Sequence, residues 1–117
     1  MKKIIILFII TLVAVFLFPH SPTAVNIDYD AVKKLINVEV KHDLKTSPVQ
    51  DPKKHYIKSI ILKINGKTVK TNTFTMQDSI EGQSTVFENI DVEKGNKITV
   101  EAICNLIGSK SSSIVIK

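Results

Sequence analysis

The chain has 117 residues, with 16 lysines and no arginine against 11 acids, a net charge of +5 and an aromatic content of 6%. The lysines are scattered and few aromatics lie between them, which excludes the basic, stacking surface that nucleic-acid binding needs. A single cysteine excludes any internal disulfide.

Lys2 and Lys3 precede an apolar run from Ile4 to Phe18 that only Thr11 interrupts. That run is long for a secretory h-region and short of the ~20 apolar residues of a membrane span. Pro19-His20-Ser21-Pro22 ends it. Residues 1–24 are therefore expected to be a signal peptide with a hydrophobic helix, or an uncleaved N-terminal anchor. The protein is expected to be exported, to a periplasm or to the outside, with any membrane contact made only through an uncleaved leader. Removing Lys2 and Lys3 leaves 14 lysines against 11 acids, a net charge of +3 that can steer a small anion. Residues 25–117 have the length of one domain with a modest core.

Along that domain, short runs of alternating character are separated by turn signals. Strands are expected over Val25–Tyr29, Leu35–Lys41, His55–Ile64, Lys67–Thr75, Ser84–Ile90, Ile98–Cys104 and Ser112–Ile116. Asn65-Gly66 is a type I′ hairpin signal. Asp78–Gln83, with Gly82, and Lys94-Gly95-Asn96 read as turns, and His42–Lys54 reads as the one long loop. No helical periodicity appears beyond the leader. Seven short strands predict an all-β, immunoglobulin-like antiparallel β-sandwich.

Three metal-ligating side chains stand where these strands begin or end. Cys104 closes a strand in phase with Ile98, Val100 and Ala102. His42 follows Ile36, Val38 and Val40 in phase. His55 opens a strand in phase with Ile57 and Ile61. In a strand, alternate residues share a face, so all three are expected on the core side at one rim. A thiolate and imidazoles gathered there would suit a transition metal. A lone exported thiol would otherwise tend to oxidise unless buried. No nucleophile–base pair and no phosphate-binding glycine loop is recognisable.

Asp51-Pro52-Lys53-Lys54-His55-Tyr56-Ile57, then Asn65-Gly66-Lys67, then Cys104-Asn105-Leu106-Ile107-Gly108 together resemble the iron-binding domain of desulfoferrodoxin and superoxide reductase. The resemblance covers most of residues 20–117. It implies an immunoglobulin-like sandwich, a mononuclear non-haem iron held by four histidine nitrogens and an axial cysteine sulfur, and reduction of superoxide to hydrogen peroxide. It implies a small anion such as superoxide as substrate, and an electron donor that remains unknown. Carried over by position, His55 matches the histidine of the family's His-Tyr-Ile and Cys104 the axial ligand. His42 matches the histidine of a His-Pro segment, with Asp43 in place of the proline. His20 matches the first, N-terminal ligand. Ile107 stands where the family has its last histidine, and no lysine precedes His20 as it does in many members. Lys45, Lys53 and Lys54 are the cations expected near such a site. Three histidines and one thiolate also suit zinc or copper. The missing histidine raises an alternative, a non-catalytic module that binds a metal or a sulfur compound.

Overall fold

The computed structural model describes residues 21–117; the expected leader helix and His20 lie outside the described residues. Seven strands are present: β1 (Ala24–Asp30), β2 (Leu35–Lys41), β3 (Ile57–Ile64), β4 (Lys67–Thr73), β5 (Gly82–Phe87), β6 (Lys97–Cys104) and β7 (Ser109–Val115). They form two antiparallel sheets in the orders β1-β2-β5 and β4-β3-β6-β7. The fold is an all-β sandwich, and no helix is found among the described residues.

The alternation in the sequence explains the layering. In β2, Ile36, Val38 and Val40 are buried while Asn37, Glu39 and Lys41 are exposed. In β6, Ile98, Val100, Ala102 and Cys104 are buried. These rows meet Ile57, Ile60, Leu62, Val25 and Phe87 in one core between the sheets. Side-chain bonds tie the sheets at their margins. Asn72 Nδ2 donates to Thr85 Oγ1 at 2.8 Å, joining β4 to β5, and Ser112 Oγ donates to Val25 O at 2.6 Å, joining β7 to β1.

The β3–β4 turn has the expected chemistry. Asn65 (φ 52°) and Gly66 (φ 83°) both adopt positive φ, as a type I′ turn requires. Asn65 also accepts a bond from the Lys97 N–H at 2.9 Å, which fixes the hairpin to the start of β6.

The expected start of β3 needs correction. His55 lies in a turn before the strand, which begins at Ile57. Strict alternation from His55 would put Ile61 in the core. Instead a bulge between Ile57 and Ser59 in the β3–β6 pairing resets the phase. Ile57, Ile60 and Leu62 face inward, and Ile61 is only half-buried. Other bounds shift too: β4 stops at Thr73, β5 begins two residues before Ser84 and ends at Phe87 rather than Ile90, and β7 runs from Ser109 to Val115.

Candidate metal centre

His42, His55 and Cys104 converge at one end of the sandwich, with one potential ligand atom from each lying within 4.8 Å of the others. All three are buried, the two histidines completely. The imidazole rings meet edge to face, with centroids 4.6 Å apart and planes at 88°.

Each ligand is delivered by a different local device. His42 leaves the end of β2 with its backbone still tied to the approach to β5. Its N–H donates to Glu81 O at 3.0 Å, and the Leu44 N–H donates to Ile80 O at 2.8 Å. Leu44, fully buried, anchors the start of the long loop. His55 sits at the end of a single tight turn. Asp51 O accepts the N–H groups of Lys54 and His55, both at 2.9 Å, and Asp51 Oδ1 accepts that of Lys53 at 2.9 Å. Asp51 thus acts as an N-cap for one turn of chain, with Pro52 in the position where a missing N–H costs nothing. Cys104 ends β6 and opens a loop that closes on itself, its N–H donating to Gly108 O at 3.0 Å. Gly108 has φ 78°, a conformation that favours glycine.

The histidine tautomers follow from their partners. Gln77 Nε2 donates to His42 O at 3.0 Å and to Ser79 O at 2.9 Å, which fixes the orientation of its amide. Its Oε1 therefore faces His42 Nδ1, at 2.6 Å, and Nδ1 must carry the proton. For His55, Nδ1 lies 2.9 Å from Val49 O, an atom that can only accept. In both rings Nε2 is left as the atom able to offer a lone pair to a metal. Holding Nδ1–H with an oxygen acceptor is the usual way a metal-bound histidine is oriented. The same logic disposes of a catalytic serine. Ser47 Oγ lies 3.2 Å from His55 Nδ1, but that nitrogen is already a donor and cannot act as its base.

The surroundings of the sulfur favour its anionic form. Burial alone pushes the Cys104 thiol up. Against it, a hydrogen bond and positive charge from the protonated His42 ring, together with the amide N–H groups of Ile107 and Leu106, prevail, and the thiol is held below its ordinary value; with a metal on Nε2, the ion takes the place of the ring proton. The Leu106 N–H lies 3.4 Å from Sγ. A lowered thiol pKa and N–H donors beside the sulfur are what a metal thiolate needs.

Asn105 welds two of the ligand segments together. Its Oδ1 accepts the Tyr56 N–H at 2.8 Å, its Nδ2 donates to Lys54 O at 3.0 Å, and its own N–H donates to Tyr56 O at 3.0 Å. The Cys104 loop is thereby bolted to the turn that carries His55. Replacing Asn105 with alanine is expected to destabilise the domain by about 1–2 kcal/mol, the net worth of two hydrogen bonds at a part-buried and an exposed partner. It is also expected to weaken metal binding, which denaturant unfolding and chelator competition on the same variant would measure separately.

The structure thus gathers three of the four expected ligands, and His20 lies outside the described residues. The described chain opens next to this centre. A side chain on Gly108 would collide with Ser21, Pro22 is buried, and the Thr23 N–H donates to Lys41 O at 2.9 Å. Ile107 presents a side chain that is 40% exposed, while its backbone serves the sulfur. Of the three lysines, Lys45 is paired with Glu81 at 3.4 Å. Lys53 and Lys54 are exposed on the His55 turn. Gln77, Ser47 and the amides of the Cys104 loop are parts of the centre that the sequence reading passed over.

No family model and no curated protein matches the chain. Among solved structures, the chain is similar to the hypothetical protein PH1083 from Pyrococcus horikoshii OT3, with a TM-score of 0.53 and 24% identity, over 84% of this chain and 88% of that one. The likeness concerns the fold alone. The buried cluster of His42, His55 and Cys104 can hold a metal ion, and this is the chemistry the site's donor set fits.

Proposed function

We propose that this domain is an exported, mononuclear metal-binding protein of the superoxide-reductase-like kind, with iron as its metal. The observation that carries the reading is the convergence of two imidazoles and one thiolate within 4.8 Å, from three distant stretches of chain. The motifs that brought them to attention are those resembling desulfoferrodoxin, and the three-and-four strand order supports the immunoglobulin-like class that this resemblance implies. His42, His55 and Cys104 would hold the ion, with His20 as the fourth ligand. The contact of Ser21 with Gly108 supports His20, because it brings the neighbouring residue against the Cys104 loop.

A ferrous ion held by these residues would supply one electron, so that superoxide with that electron and two protons from solvent would give hydrogen peroxide, leaving ferric iron for an external donor to reduce. The chain's own contribution is orientation and charge. Gln77 and Val49 hold the rings with Nε2 toward the centre. The amides of Leu106 and Ile107 stabilise sulfur as the anion. Lys53 and Lys54 place positive charge on the turn beside it.

The test is anaerobic purification of the full chain, iron loading, elemental analysis and superoxide consumption with peroxide as product and no oxygen release. One iron per chain and turnover would support the reading. Stoichiometric metal without turnover would favour the non-catalytic module, for which Ile107 in place of a ligand is the motivating observation. Absence of bound iron, zinc and copper would end both. His20→Ala is expected to weaken metal binding by more than the roughly 10–100-fold that loss of an outer hydrogen bond costs. Mass spectrometry of the N-terminus of the same preparation shows whether His20 is retained.

A further inference from the structure

Gln77 is 1% exposed, yet it sits in the connection between β4 and β5, where neither alternation nor a turn motif marks it. Every polar atom of its amide is engaged with the segment around the centre. Oε1 accepts the His42 Nδ1–H at 2.6 Å. Nε2 donates to His42 O at 3.0 Å and to Ser79 O at 2.9 Å. Its backbone N–H donates to Pro52 O at 2.9 Å, in the turn that carries His55. One residue therefore holds the ring of one ligand, the backbone of the same ligand and the turn of the second.

From this arrangement we infer that Gln77 is the positioning residue of the metal centre, setting the His42 tautomer so that Nε2 is the ligating atom. The inference rests on the metal-centre reading for its effect on binding, but not for its effect on the ring. An amide is suited to this role. It accepts Nδ1–H without adding negative charge, so the imidazole stays a neutral ligand. Its second end is pinned by two carbonyls, so it cannot rotate to offer nitrogen to Nδ1. The acceptor for His55, by contrast, is the backbone carbonyl of Val49, which no side-chain substitution alters.

The experiment compares Gln77→Met with Gln77→Glu in the full chain. Methionine keeps the volume and removes the acceptor. Glutamate keeps the acceptor and sacrifices the two donors to His42 O and Ser79 O. The first readout is nitrogen NMR of His42 in metal-free protein, at a pH where the ring is neutral. Wild type and Gln77→Glu are expected to show the Nδ1–H form, and Gln77→Met a mixture. The second readout is zinc affinity by chelator competition, expected to fall about 10–100-fold in Gln77→Met and less in Gln77→Glu. Thermal stability is expected to fall in both variants, with glutamate at least as damaging because it faces two carbonyls. A purely structural role would make affinity follow stability; a positioning role separates them. Gln77→Met with an unchanged Nδ1–H ring, or with zinc affinity within threefold of wild type, overturns the inference. If wild type binds no metal at all, the metal-centre reading fails by itself, and the ring tautomer alone then decides the role of Gln77.

Discussion

Replacing Cys104 with serine is expected to lower metal affinity by more than 100-fold, beyond the ~10–100-fold that outer-shell changes cost. The argument is one of charge. Burial opposes ionisation of the thiol, but the protonated His42 ring and the Ile107 and Leu106 amides outweigh it and hold the thiol below its ordinary value, which favours sulfur as an anionic donor. A serine hydroxyl in the same place stays neutral, since alcohols ionise far above neutral pH. Among the described residues, the centre would lose its one anionic donor and keep neutral imidazoles alone. In cobalt-loaded wild type, sulfur-to-metal charge transfer should appear in the near ultraviolet, and in the variant it should be gone. Stability reports the same loss independently. A ligand present at 1,000 times its dissociation constant stabilises the native state by about 4 kcal/mol. Wild type should show that gain on adding metal, and the serine variant should show little of it. Serine retains an acceptor for the Leu106 N–H, so the metal-free proteins should unfold at similar temperatures. Equal affinity and an unchanged spectrum in the variant would make Cys104 a buried thiol and nothing more.

How much of this was legible in the chain depends on what each element rests on. β2 and β6 could be read directly, because Ile36, Val38, Val40 and Ile98, Val100, Ala102 alternate with polar residues and the sheet uses that period unchanged. The Asn65-Gly66 turn could be read because positive φ at two successive positions leaves few residue choices. The same alternation points to His42 and Cys104. For His55 the alternation misleads in part. It reaches the centre from the Asp51 turn, and the bulge after Ile57 means that its strand neighbours are not in the phase assumed. A bulge has no signature here, because Lys58 and Ser59 fit a regular strand equally well. Gln77 was invisible because its importance lies in tertiary hydrogen bonds, and a buried glutamine between Met76 and Asp78 looks like any loop residue. The Leu106 and Ile107 amides were invisible for a stronger reason: backbone donors exist at almost every position, and only the folded loop shows which ones point at sulfur.

Gly82→Ala is the second large effect expected, and it reaches the centre through the backbone. Gly82 pairs with Lys41 at the end of the β2–β5 ladder. A Cβ built there would lie 2.0 Å from Val40 O, 3.2 Å from Val40 C and 3.4 Å from His42 N. The obstacle is main chain, so no rotamer change relieves it; β2 and β5 must separate near their ends. The pairing that would yield first includes the His42 N–H bond to Glu81 O, at 3.0 Å. Overpacking of this kind costs about 1–3 kcal/mol, and a clash with backbone places the expected loss near 3 kcal/mol. A domain of this size has only about 5–15 kcal/mol to lose. The shift also moves His42 relative to Cys104, so metal affinity should fall together with stability. Ile60→Val provides the comparison. Ile60 is a buried core residue on β3, and the change should cost about 0.5–1.5 kcal/mol of stability. It leaves the backbone around His42 alone, so affinity in the folded protein should hold. Urea unfolding of metal-free protein and zinc competition on both variants separate the two effects. If Gly82→Ala lost stability but bound zinc as tightly as wild type, His42 would not depend on the β2–β5 junction for its placement.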